Sequence, residues 1–115
     1  TQGKNLFPEE VEAVLMHSPD ITHASVQGVP DPIRGQQVVA ILNPSSLAAE
    51  ASMTAQELTL LCRTQLEGYK VPKQFIACCQ WPLTTSGKTD HAALAALLQQ
   101  YLRDESSAPC LHPIL

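Results

Sequence analysis

Trp81-Pro82-Leu83-Thr84-Thr85-Ser86-Gly87-Lys88 sets one lysine on a glycine-hinged loop just ahead of a helical repeat of leucines. Pro82 restricts the backbone, the hydroxyls of Thr84, Thr85 and Ser86 can bond local amides, and Gly87 opens dihedrals closed to other residues. Such a loop suits a charge that must arrive and leave, which makes Lys88 the candidate catalytic residue and Thr85, Ser86 and Gly87 the residues that position it. The ordinary alternative is a solvated surface lysine with no task. A nucleotide-binding P-loop is excluded. Gly87-Lys88-Thr89 ends like G-x-x-x-x-G-K-T, but Pro82 stands five residues before Gly87, and no glycine lies between Gly68 and Gly87 to supply phosphate-facing amides.

Working outward, Asp90 can cap a final helix whose Leu94, Leu97, Leu98, Tyr101 and Leu102 repeat at helical spacing. Upstream, residues 74–79 read as a strand. Thr54 with Glu57 forms a capping box for a second helix, Met53 is available as its staple, and Leu58, Leu61, Cys62 and Leu66 form its buried face. Gly68 is placed to stop that helix. Residues 43–52, rich in serine and alanine, read as a solvent loop. Residues 21–26 and 36–42 read as antiparallel strands around a turn at Pro30-Asp31-Pro32. Pro8, the acidic Glu9, Glu10 and Glu12, and the i, i+3, i+4 face of Val11, Val14 and Leu15 make a first helix that ends by Ser18. The predicted class is α+β: a small antiparallel sheet flanked by three helices in residues 1–103, with residues 104–115 a disordered tail.

Composition agrees with one small domain. The 115 residues are 44% hydrophobic but only 4% aromatic, so the core is mostly aliphatic. Seven basic against eleven acidic residues give a charge of −4 with the lysines scattered, which argues against nucleic acid as a partner. Cys62, Cys78, Cys79 and Cys110 have no C-x-x-C spacing and the four histidines no metal-ligand spacing, so neither a zinc site nor a disulfide framework is indicated. The absence of a signal-peptide pattern and of a transmembrane segment leads to an expected cytoplasmic location.

Four segments, taken in order, carry a resemblance: Gly3-Lys4-Asn5-Leu6-Phe7-Pro8-Glu9-Glu10-Val11-Glu12, then Gly28-Val29-Pro30-Asp31, then Gly68-Tyr69-Lys70-Val71-Pro72-Lys73, and finally Pro82 to Lys88. They resemble the C-terminal domain of the adenylate-forming superfamily: acyl- and aryl-CoA synthetases, adenylation domains of nonribosomal peptide synthetases, and luciferases. The likeness covers residues 3–98. It implies a ligase in which a carboxylic acid attacks the α-phosphorus of ATP to give an acyl-adenylate and pyrophosphate, after which a thiol takes the acyl group and releases AMP. It further implies that Lys88 serves the first step as an electrostatic clamp between carboxylate and phosphate, and that the domain then rotates to admit the thiol.

The implied partners are the chain's own N-terminal adenylation domain, a small-molecule carboxylate, and coenzyme A or a carrier protein. ATP and Mg2+ would be bound mainly by the N-terminal domain. The isolated domain is expected to be inactive. On the thiol side the resemblance suggests Gly3, near the hinge and the pantetheine passage, and the basic residues Lys4, Arg63, Lys70 and Lys73 as contacts for coenzyme A or carrier, with Gly28 shaping a hairpin. For each of these an ordinary structural or solvated role is the competing reading. The family often follows its Ser-Gly-Lys with an aliphatic and then basic residues. Here Thr89, Asp90, His91 and Ala92 follow, with less positive charge. Among acceptors coenzyme A is preferred, because residues 104–115 read as a terminus; a carrier-loading domain and a free-standing docking module are the alternatives.

Overall fold

A computed structural model describes residues 7–33 and 35–115. The chain runs α1 (Pro8–Leu15), β1 (Ile21–Asp31), β2 (Gly35–Pro44), α2 (Leu47–Ser52), α3 (Ala55–Arg63), a 3-10 turn (Gly68–Lys70), β3 (Gln74–Cys78), α4 (His91–Arg103), a second 3-10 turn (Glu105–Ser107) and β4 (Leu111–Pro113). The four strands form one sheet in chain order. Strands β1 and β2 are a long antiparallel hairpin from Ile21↔Pro44 to Asp31↔Gly35. Its turn is drawn tight by the Asp31 carboxylate, which accepts the Ile33 N–H at 2.8 Å.

The α+β class stands, but the sheet is mixed. Strand β3 lies parallel to β2, from Val39↔Gln74 to Leu42↔Ala77. The chain leaves β2 and runs through α2, α3 and the 3-10 turn before β3, and such a crossover returns in the direction it left. A sequence pattern reports strands, not their relative direction.

Both faces of the sheet are covered, which explains the unbroken apolar run of β2. Val38, Ala40 and Leu42 join Val11, Leu15, Leu58, Cys62 and Phe75 on the side of α1 and α3. Val39 and Ile41 join Ile76, Leu94, Leu98 and Tyr101 on the side of α4. A strand buried on both faces gains nothing from alternation. Burial pushes the thiols of Cys62 and Cys78 up to about 11, so both stay protonated packing groups.

Helix caps follow the sequence closely. The Thr54 hydroxyl accepts the Glu57 N–H at 3.2 Å and donates to the Glu57 carboxylate at 3.0 Å, while the Asp90 carboxylate accepts the Ala93 N–H at 3.0 Å. Three expectations are corrected. The supposed solvent loop at 43–52 holds a fourth helix, α2, capped by the Ser46 hydroxyl on the Ala49 N–H at 3.0 Å and seated by buried Ala49. Gly68 does not end α3, which stops at Arg63 with Thr64 as its cap; Gly68 instead opens the 3-10 turn.

The third correction concerns the tail. Residues 104–115 are not a loose end: β4 pairs antiparallel with β3, and Ala108, Leu111 and Ile114 are buried. The Ile114 N–H bonds the Phe75 carbonyl at 2.9 Å, and the Leu115 carbonyl accepts the Ala55 N–H at 3.0 Å. Two prolines and two serines suggested disorder. The exposed edge of β3 needed a partner, and three apolar side chains were enough to hold one there.

Candidate active-site loop

Residues 81–90 connect the end of β3 to α4, and their shape is set from within. The Gly87 N–H bonds the Thr84 carbonyl at 2.9 Å and the Thr84 N–H bonds the Lys88 carbonyl at 2.7 Å. The Thr84 hydroxyl lies 3.0 Å from that of Ser86 and accepts the Lys88 N–H at 3.2 Å. Gly87 has φ +87°, where a side chain would be strained. Below the turn, Leu83 and Thr89 form a bridge, and the Asp90 N–H bonds the Pro82 carbonyl at 3.0 Å. The backbone under Lys88 is therefore stiff.

The side chain above it is not engaged. Lys88 is exposed, as are its neighbours 83–87, and among the described residues no carboxylate lies within salt-bridge distance of its ammonium. The positions expected to support the lysine divide. Ser86 and Gly87 shape the turn, as does Thr84, whereas the Thr85 hydroxyl takes no part in these hydrogen bonds.

The base of the loop meets β1. The Trp81 indole stacks on His23, ring centres 5.5 Å apart and planes 22° apart, and its Nε1 donates to the Thr89 hydroxyl at 3.0 Å. At the other end, His91 Nδ1 shares a 2.8 Å hydrogen bond with the Ser25 hydroxyl. Ser25 is wholly buried. Sequence reasoning missed these contacts; the one available signal was the chain's single tryptophan at the head of the loop.

Beside this junction a groove of about 490 Å³ is lined by Glu9, Glu12, Ser25, Gln27, Gly28 and His91, among others. The Glu12 carboxylate accepts the Val26 N–H at 2.8 Å, tying α1 to β1. Burial raises its pKa above 4.5, against the opposing pull of that N–H and of His91, with Glu9 adding to the rise. A folded pKa above the unfolded one contributes stability that is full below the unfolded value and lost as pH climbs through the folded value. Glu12→Gln keeps an acceptor for Val26 without the charge. Its Tm relative to wild type is expected to climb as pH rises from 4.5 through the raised value, then level off. Thermal melts of both proteins across that window check this; a constant difference at every pH would contradict it.

The fold that carries this turn is shared with known proteins. The AMP-binding enzyme C-terminal domain matches residues 10–88, its match ending on Lys88. The chain belongs to this family. A medium/long-chain-fatty-acid–CoA/3-oxocholest-4-en-26-oate–CoA ligase of Mycolicibacterium smegmatis is 36% identical over 106 residues, 92% of this chain and 19% of the relative. The o-succinylbenzoate CoA synthetase of Bacillus subtilis, bound with a product analogue, superposes with TM-score 0.71 at 33% identity over 82% of this chain and 18% of that one. The same enzyme with its acyl-adenylate intermediate gives 0.70 at 33%, over 80% and 18%. The chain thus spans about a fifth of the length of the relatives it matches.

Within this AMP-binding enzyme C-terminal domain the remaining candidates fare unequally. Gly3 and Lys4 lie outside the described residues. Lys70 is buried, bonded to the Glu10 carboxylate at 2.7 Å and 3.8 Å from Glu67. The Glu10 bond, foremost, raises its pKa. Lys70 therefore pins the 3-10 turn to α1 through its ion pair with Glu10.

Lys73 remains exposed and lines a cavity of about 310 Å³ with Gln36, Gln37, Val38, Gly68, Tyr69 and Val71. Arg63 is exposed in the last turn of α3, where a cation suits the helix end. Gly28 sits in β1 opposite Val38, and a side chain there would run into Gln36 at 2.5 Å. Among the described residues no three His, Cys, Asp or Glu side chains gather to hold a metal ion, and no helix is long and apolar enough to cross a membrane.

Proposed function

We propose that this domain works as the C-terminal part of an AMP-forming acyl- or aryl-CoA ligase and that Lys88 is its adenylation lysine. The observation that carries the reading is the exposed, unengaged ammonium of Lys88 on a backbone stiffened by its own hydrogen bonds. An ammonium so presented can enter a cleft supplied by the large N-terminal domain. There it bridges the attacking carboxylate and the α-phosphoryl oxygen while negative charge moves from one to the other. The carboxylate oxygen bonds to phosphorus as pyrophosphate leaves. The thiol then bonds to the acyl carbon as AMP leaves, its proton passing to solvent.

Lys88 stays protonated throughout and transfers nothing. ATP and Mg2+ belong to the N-terminal domain in this reading, and no step on this domain passes through the metal. For the second step the domain swings Lys88 out and turns a different surface to the cleft. On the acceptor side exposed Lys73, which lines a cavity with Tyr69, is placed to meet a phosphate. The reading is supported by relatives named as CoA ligases and by two solved structures of one relative, one with an acyl-adenylate and one, of a double mutant, with a CoA product analogue.

The acceptor is tested by giving the full-length protein its acyl-adenylate with either coenzyme A or a phosphopantetheinylated carrier protein and following the thioester by mass. Acyl-CoA is the expected product. Acylation of the carrier alone would move the protein to the carrier-loading class.

A further inference from the structure

We propose that β1 aims Lys88: His23 and Ser25, alternate residues on one face of that strand, hold the two ends of the 81–91 segment through Trp81 and His91 and so fix where the lysine is presented. This rests on the reading of Lys88 as the adenylation group and assigns its positioning residues.

The bonds inside the loop fix its shape but not its place on the domain, because residues 83–88 are exposed and, among the described residues, their hydrogen bonds all lie within the loop. Placement must come from the ends. At the first end the Trp81 ring lies against His23, and its Nε1 bond to Thr89 carries that anchor across to the outgoing strand of the loop. At the second end His91, the first residue of α4, is bonded through Nδ1 to Ser25. The Gln27 amide reaches both the Ser25 hydroxyl and the His91 carbonyl at 3.4 Å. Strand β1 is itself tied to α1 by the Glu12 bond to Val26. The lysine is thereby referenced to the sheet at two points, and a displacement of about 1 Å in such a group is enough to cost a large factor in rate.

Neither β1 residue is what packing alone would choose. Ser25 is a fully buried hydroxyl between Ala24 and Val26, a site an alanine would fill with no demand for a partner, so its bond to His91 accounts for it. Among the described residues His23 Nδ1 is buried with no hydrogen-bond partner. A buried polar atom left so is a cost, and the ring's contact with Trp81 is what the site gains.

The test uses the full-length protein and its two half-reactions. Ser25→Ala and His23→Ala are each expected to lower acid-dependent ATP–pyrophosphate exchange about 3- to 10-fold through kcat, with KM for ATP and acid held. Thioester formation from supplied acyl-adenylate should stay at the wild-type rate, which also reports that the domain is folded. His23→Phe, keeping a ring against Trp81, should restore exchange. Equal losses in both half-reactions, no loss in either, or a His23→Phe no better than His23→Ala would each overturn the positioning role. Lys88→Ala run alongside separates the two claims: if it cripples exchange while the β1 variants do not, positioning alone falls, and if it exchanges at the wild-type rate, the reading of Lys88 falls and takes this inference with it.

Discussion

Lys88→Ala in the full-length protein is expected to slow acid-dependent pyrophosphate exchange by about 10² to 10³ while thioester formation from supplied acyl-adenylate continues near the wild-type rate. The asymmetry follows from where the lysine stands. It is exposed, and among the described residues no carboxylate pairs with it, so its removal leaves no buried charge uncompensated and little stability is at stake. What is lost is a cation aimed at the position where two anions meet, an interaction made in the adenylation cleft alone. A loss of similar size in both half-reactions would mean that the substitution acts on the fold. No loss in either would make Lys88 an idle surface charge.

Phe75→Ala is expected to destabilise the domain by about 3–5 kcal/mol, a large share of the roughly 5–15 kcal/mol that such a domain has in hand. Phe75 is 2% exposed, lies opposite Ala40 in the parallel pair, and packs into the core under α1 and α3. Its carbonyl also holds the Ile114 N–H of the tail. The chain has two phenylalanines, and Phe7 is more than half exposed, so no second large ring stands ready to fill the space. Urea unfolding monitored by far-UV circular dichroism measures the effect; a change below about 1 kcal/mol would show that the core closes over the missing ring.

The sequence made the caps and the apolar faces readable because those signals are local. Thr54 and Glu57 are three residues apart, and Asp90 sits directly before its helix. The parallel pairing of β2 with β3 was hidden because it depends on the crossover through α2 and α3. Strand β4 was hidden because its partner edge lies more than thirty residues upstream and its own sequence carries prolines. Lys88 was legible as a candidate from its loop and from the order of motifs around it. Its support from β1 was not, since the Ser25–His91 bond joins residues 66 apart in sequence. Lys70 is a further case: a basic residue in a motif looked available for phosphate, and only the fold shows it paired with Glu10.

The most direct measurement is ATP–pyrophosphate exchange by the full-length protein across a panel of short, long and aromatic carboxylic acids, with nucleotide products analysed once coenzyme A is added. The account predicts exchange that requires one class of acid and proceeds without any thiol, then AMP and acyl-CoA in equal amounts when coenzyme A is present. ADP as the nucleotide product, or exchange indifferent to every acid, would contradict it.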